Sequence, residues 1–173
     1  MKLFLQRICI AAVAGTILLA PAATRAETDA ETAAHRSALD LAGAFTNEGF
    51  KLRDGDFAGN LKPGQSVVVQ VNLYAGNQYW FTLSSSDSKT ALSINLYDES
   101  GKLLKTDTFA TQAVDAAKQA KASPQTNPDP DATTTNRTAA GFAPDVSGPY
   151  YVNISNPSSS STVATYCLIY SYK

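Results

Sequence analysis

Few residues in this chain have the chemistry that catalysis requires. An enzyme needs a base beside a nucleophile, a metal, or a pair of carboxylates at a working distance. His35 is the single histidine, and Leu39 rather than a carboxylate stands four residues after it. Cys167 has no second histidine to activate it, and the chain holds too few His and Cys ligands for zinc. The sequence therefore predicts a protein that is not an enzyme, and Cys167 is expected to be a small buried side chain.

Calcium is the one metal that the acidic residues suggest, and no other cofactor is expected. It accepts six to eight oxygen ligands from carboxylates and loop carbonyls without one strict motif. The candidate ligands are two pairs, Asp54 with Asp56 and Asp129 with Asp131. Neither pair matches the regularly spaced calcium loop that ends in a glutamate, and acidic residues in turns also cap backbone amides. Both interpretations of these acidic residues, as calcium ligands or as caps of backbone amides, stay open.

The aromatic residues offer a binding surface. If Tyr79 and Phe81 face the core, strand alternation turns Trp80 to the opposite face, with Tyr74 opposite it across a predicted hairpin. Sugars and protein partners both use such aromatic platforms. An N-terminal helix that folds down over Trp80 is the third possibility.

Residues 1–26 have the pattern of an export signal. Lys2 and Arg7 precede an apolar run over residues 8–20, and Thr24-Arg25-Ala26 is a small-x-small cleavage site. The apolar run is too short to span a bilayer, and no later segment is long enough. We expect a periplasmic or extracellular protein with no membrane span in its mature part. The net charge of −1 argues against nucleic acid as a partner.

The remaining residues suit one domain, because 44% of the chain is apolar and its length is too short for two cores. Residues 27–49 are predicted to be a helix or spacer. Thr28 and Glu31 form a capping box, and Gly49 ends the helix. Four residues at helical spacing form its apolar stripe: Ala34, Ala38, Leu41 and Phe45.

Residues 50–173 change to the period of two that is typical of strands, with Gly and Pro between short apolar runs. Three hairpins are predicted: 66–74 with 79–83, 92–97 with 102–108, and 149–155 with 162–172. Residues 113–137 are predicted to be a long flexible loop. The fold class is therefore mainly β, an antiparallel jelly-roll-like β-sandwich preceded by one N-terminal helix.

Three segments resemble the bacterial pre-peptidase C-terminal domain, here as a stand-alone secreted protein. They are LKPGQSVVV followed by LYAGNQYWF over 61–81, LYDESGKLL over 96–104, and SGPYYVNI over 147–154. The resemblance implies a jelly-roll-like sandwich and an extracellular location. It also implies binding of matrix proteins, polysaccharide or calcium in some members, and no shared catalytic residue.

Three functions follow as alternatives. The first is a non-catalytic exported module that binds a protein or polysaccharide partner, and the others are a structural subunit of a cell-envelope assembly and a calcium-stabilised accessory domain. A binding module predicts a monomer that melts higher with its ligand. A subunit predicts association through an edge strand or an exposed aromatic patch.

Overall fold

The structure is a computed structural model that describes residues 28–87, 90–111, 136–157, 159 and 162–173. The predicted export signal and nearly all of the predicted loop 113–137 lie outside these residues. One helix, α1 (Asp29–Thr46), precedes the strands. The strands are β1 (Lys51–Leu52), β2 (Phe57–Leu61), β3 (Ser66–Leu73), β4 (Tyr79–Ser85), β5 (Ser93–Tyr97), β6 (Asp107–Thr111), β7 (Arg137–Phe142), β8 (Gly148–Ser155) and β9 (Ala164–Tyr172).

These strands form two antiparallel sheets. Sheet A has the order β1-β9-β4-β7-β6, with β2 pairing the same edge of β9 as β1, and sheet B has the order β3-β8-β5. Chain neighbours such as β2 and β3, or β8 and β9, lie in different sheets. The protein is mainly β with one preceding helix, as the sequence predicts, and its strand order is compatible with a jelly roll.

Two of the three predicted hairpins are wrong as pairings, because their first strands lie in sheet B and their second strands in sheet A, and the turn carries the chain from one sheet to the other. The second predicted hairpin, 92–97 with 102–108, forms only next to its turn, where a bridge joins Tyr97 to Leu103 and Leu104 donates to the carbonyl of Leu96 at 2.9 Å. Beyond that point the chain crosses to sheet A, where β6 pairs with β7. Gly76 and Gly101 do have the positive φ expected at these turns. A tight turn and alternating flanks are common to a hairpin and a crossing between sheets, so the local pattern does not separate them.

The main core lies between the sheets, and alternation identified its residues correctly. Val69, Val71 and Leu73 point inward from β3, and Tyr79, Phe81 and Leu83 do so from β4. Tyr166 and Leu168 are buried in the same core, and Tyr170 packs against it. Cys167 faces the other side of sheet A and is fully buried, as expected.

Helix α1 forms a third layer on the outer face of sheet A. The predicted capping box is present at its first turn, where Thr28 and Glu31 bond reciprocally. Its four-residue apolar stripe is buried as predicted. Ala34 and Ala38 pack on Cys167 and Ile169, and Ser84 on β4 donates a hydrogen bond to the carbonyl of Ala34. The helix is therefore docked on the sheet along its length. Within the described residues, no helix has the length and hydropathy that a membrane span requires.

Candidate functional site

The outer face of sheet B is open to solvent, unlike that of sheet A. Inward residues of β3, β8 and β5 enter the core, so every second residue of these strands points away from it. We call these outward residues the uncharged face. They are Ser66, Val68, Gln70, Asn72, Ser93, Asn95, Tyr97, Pro149, Tyr151, Asn153 and Ser155.

The strand register arranges this face in rows across the sheet. One row joins Ser66, Ser155 and Ser93, and the hydroxyls of Ser155 and Ser93 lie 2.6 Å apart. The next rows are Val68, Asn153, Asn95 and then Gln70, Tyr151, Tyr97. Adjacent strands lie about 4.8 Å apart, so each row brings its amides, hydroxyls or rings within reach of one small ligand unit.

Sheet B contains no charged residue in any of its three strands, although 17% of the whole chain is charged. Strands β4 and β9 of sheet A lack charge too, but they are covered by the core on one face and by α1 on the other. On a sheet with one face in water, the outward positions are normally where charge is found. The exposed face of sheet B therefore differs from an ordinary solvent-facing sheet surface, because it has no charged side chain.

Asn153 lies in the middle of this face and has an unsatisfied polar atom. Its Oδ1 is buried and has no hydrogen-bond partner within the described residues. A buried acceptor without a donor costs about 1–3 kcal/mol, and a ligand on the surface does not reach this atom. The hydrogen bonds that the face can offer to a neutral, hydroxyl-rich ligand come instead from its exposed amides and hydroxyls, beside the two tyrosine rings.

The predicted platform of Trp80 and Tyr74 is arranged differently from the expectation. Trp80 does point away from the core, but it stacks on Phe45 of α1 with ring centroids 4.3 Å apart and planes 16° apart. Its other neighbour is Gly141, where a Cβ atom would come within 2.9 Å of the indole ring. Tyr74 is 57% exposed and follows β3 in the other sheet, so it does not lie opposite Trp80 across a hairpin. The helix covers Trp80, while the role of either residue in binding stays a prediction.

Part of Trp80 still borders a small cavity of about 200 Å³. Glu48, Asp107 and Lys173 also border it, and the Lys173 ammonium lies 4.5 Å from the centroid of the Phe50 ring. That cation–π contact holds the last residue of the chain against the end of α1.

A larger cleft of about 500 Å³ opens at one end of the sandwich, near the turn after β5. Three carboxylates border it: Asp98, Glu99 and Asp145. Burial raises the pKa of Tyr150 on the cleft wall, as do these nearby negative charges, and its hydroxyl donates to the carbonyl of Val146 at 2.7 Å. Hydrogen bonds from Ser100 and Lys102 lower the pKa of Asp98, so that carboxylate holds its own turn together.

The calcium candidates are only partly placed. Asp54 and Asp56 are exposed on either side of Gly55, and the Asp56 carboxylate accepts a 3.5 Å hydrogen bond from the Cys167 thiol. Asp129 and Asp131 lie outside the described residues. Among the residues that are described, no group of three or more His, Cys, Asp or Glu side chains is close enough to hold a metal ion. Calcium binding stays a prediction, which a calcium titration of the melting temperature tests.

The uncharged face was not predicted, although its signal was present in the sequence. Apart from Val68 and Pro149, the outward positions of three separated segments are serine, asparagine, glutamine or tyrosine, without one Lys, Arg, Asp or Glu. That pattern becomes a surface only once β3, β8 and β5 are known to be neighbours.

No protein-family model matches the chain, and no curated protein matches it either. The resemblance to the pre-peptidase C-terminal domain therefore stays a prediction. The class that the fold defines is a helix-covered antiparallel β-sandwich.

Proposed function

We propose that this protein is an exported, non-catalytic binding module whose ligand is a neutral polysaccharide held on the uncharged face of sheet B. The observation on which this proposal rests is the row of Gln70, Tyr151 and Tyr97 beside the row of Asn153 and Asn95, on a face without formal charge. Export is supported by the signal-like residues 1–26.

Neutral sugars have the chemistry that this face matches. Their hydroxyls donate to and accept from amides, and their C–H surfaces pack on aromatic rings. A charged ligand would find no counter-ion in the three strands, whereas a neutral ligand has no charge to desolvate. The exposed amides of Gln70 and Asn72 provide donors and acceptors for sugar hydroxyls.

The length of the face, which extends over successive rows of outward residues, also favours a chain over a single small molecule. The two cavities described above, the end cleft and the cavity beside Trp80, are each bordered by charged side chains. The sheet face has none, so it suits a neutral ligand better than either cavity does. Four successive rows along β3 provide contacts for several consecutive sugar units.

The test is affinity electrophoresis of the mature protein in gels that contain dextran, soluble starch or glucomannan, with polygalacturonate as a charged comparison. We expect retardation by at least one neutral polymer, and we expect Tyr151→Ala to weaken it at least tenfold, as for an aromatic residue central to an interface.

Phe57→Ala is the matched control, because Phe57 is an exposed aromatic residue in β2 of sheet A, away from this face. Its retardation should equal that of the wild type, and thermal melts should show that both variants fold. Binding that is lost with Phe57→Ala but kept with Tyr151→Ala would place the site on another surface and refute the proposal. No retardation by any of the neutral polymers would refute the proposal.

A further inference from the structure

Strand β3 is an open edge of sheet B. All eight of its residues, Ser66 to Leu73, pair in unbroken register with β8 on one side. On the other side, its backbone groups have no hydrogen-bond partner among the described residues. Such an edge is a ready template for another strand, and natural proteins usually protect it with charge, proline, a bulge or a covering segment.

The other edges in the described part of the fold are protected in these ways. Beside β5, the backbone of Leu104 donates to the carbonyl of Leu96 at 2.9 Å, so the following segment covers that edge. At one side of sheet A the edge is broken between the short strands β1 and β2, and charged residues occupy the gap. At the other side β6 has five residues and begins with Asp107.

Within the described part of the chain, strand β3 has none of these protections. It contains no charged residue and no proline, and its continuous register with β8 leaves no room for a bulge. At about 3.3 Å per residue it presents roughly 26 Å of unpaired backbone. Val68, on its outward side, is 58% exposed.

We infer that β3 pairs with β3 of a second copy of this chain, antiparallel across a twofold axis. In such a dimer the two facing strands have the same sequence. A charged residue in β3 would therefore lie near its own copy in the partner strand and repel it. A neutral β3 avoids that repulsion and is therefore complementary to itself.

Pairing of this kind also buries the side chains that the monomer leaves exposed. Antiparallel neighbours point to the same face of a sheet, so Val68 meets outward residues of the partner strand. On the inner side, the partly buried Val67 extends the core towards the other copy. The two three-stranded sheets become one sheet with the order β5-β8-β3-β3-β8-β5. The uncharged face then runs without interruption across both copies.

The inference departs from the monomer expected of a binding module, but it does not depend on the proposed ligand, because the dimer leaves the uncharged face of both copies open. Its test measures mass rather than binding. The mature protein is analysed by sedimentation equilibrium over a concentration series, together with Val68→Glu and Val68→Lys. We expect a dimer for the wild type. Each variant alone should have a dissociation constant at least tenfold higher, because like charges meet near the axis.

An equimolar mixture of Val68→Glu and Val68→Lys should recover the dimer, since opposite charges then face each other. Val163→Glu is the matched control, because Val163 is 54% exposed and lies outside sheet B, and it should dimerise like the wild type. Far-ultraviolet circular dichroism confirms that each variant folds.

A wild-type monomer at the highest soluble concentration would overturn the inference. So would variants at Val68 that dimerise as well as the wild type, or a mixture that stays monomeric while each variant alone is folded.

Discussion

The contact between Phe45 and Trp80 can be tested by the substitution Phe45→Ala, because Trp80 is the single tryptophan and so reports on its own surroundings. The Phe45 ring is 7% exposed, stacks on Trp80, and makes edge contacts with Phe50 and Phe109 at centroid distances of 6.3 Å. It is therefore the central side chain of the cluster that fastens the end of α1 to sheet A.

Truncation of a buried phenylalanine to alanine costs about 3–5 kcal/mol in the free energy of unfolding. The lower value, about 3 kcal/mol, applies here, since Phe45 lies at a helix–sheet boundary that can relax into the space. That loss corresponds to a fall in melting temperature of roughly 6–12 °C for a domain of this size. It is a large share of the total stability of about 5–15 kcal/mol that is typical of single domains.

The assay is urea unfolding of the mature protein, followed by both tryptophan fluorescence and circular dichroism. In native buffer, Phe45→Ala should shift the Trp80 emission to the red, because the indole loses its cover and meets water. Leu39→Ala is the control on the same helix. Leu39 is 39% exposed, so this change should stay within about 0.5 kcal/mol and leave the emission unchanged.

The reasoning fails if Phe45→Ala unfolds at the wild-type urea concentration with the wild-type emission maximum. Trp80 would then be free of the helix in solution, and its role as an open aromatic platform would regain support.

Two further predictions concern other parts of the fold. Gly141→Ala should destabilise the protein by about 1–3 kcal/mol, because the new Cβ would lie 2.9 Å from the Trp80 ring. Gly148→Ala is the control, since its new Cβ would meet nothing within 4 Å. Urea unfolding of both variants tests this, and equal unfolding midpoints would contradict it. The Asp98 carboxyl accepts hydrogen bonds from the hydroxyl and backbone of Ser100, so its pKa should lie below 3.8 in an NMR titration. A lowered carboxyl pKa stabilises the fold at neutral pH, and this contribution is lost as the pH falls through the folded pKa. Asp98→Asn should therefore show a weaker loss of stability in acid, and a carboxyl that titrates at or above 3.8 would contradict the prediction.

Some properties of the protein follow from local rules and were predictable from the chain alone. The capping box of Thr28 and Glu31, the buried stripe of α1 and the direction of Trp80 depend only on residues close in sequence and on the periods of helix and strand. For the same reason the inward residues of β3, β4 and β9 were identified correctly. The fold class followed from them.

The tertiary structure alone decided which strands are neighbours. Two predicted hairpins failed and a third formed only next to its turn, because alternation fixes which face of a strand is apolar and leaves open which other strand it pairs with. β7 was not predicted at all, since its Ala-Ala-Gly segment has little strand propensity, yet Gly141 is the residue that makes room for Trp80.

The candidate site depends entirely on that tertiary choice. The chain by itself determined that uncharged residues, all polar except Val68 and Pro149, would point outward from residues 66–73, 93–97 and 148–155. Only burial of the opposite faces against sheet A brought these distant segments side by side and left β3 at the edge. The physical reason is that side-chain direction is a local property of the backbone, whereas strand pairing is set by the total apolar area that non-local contacts bury.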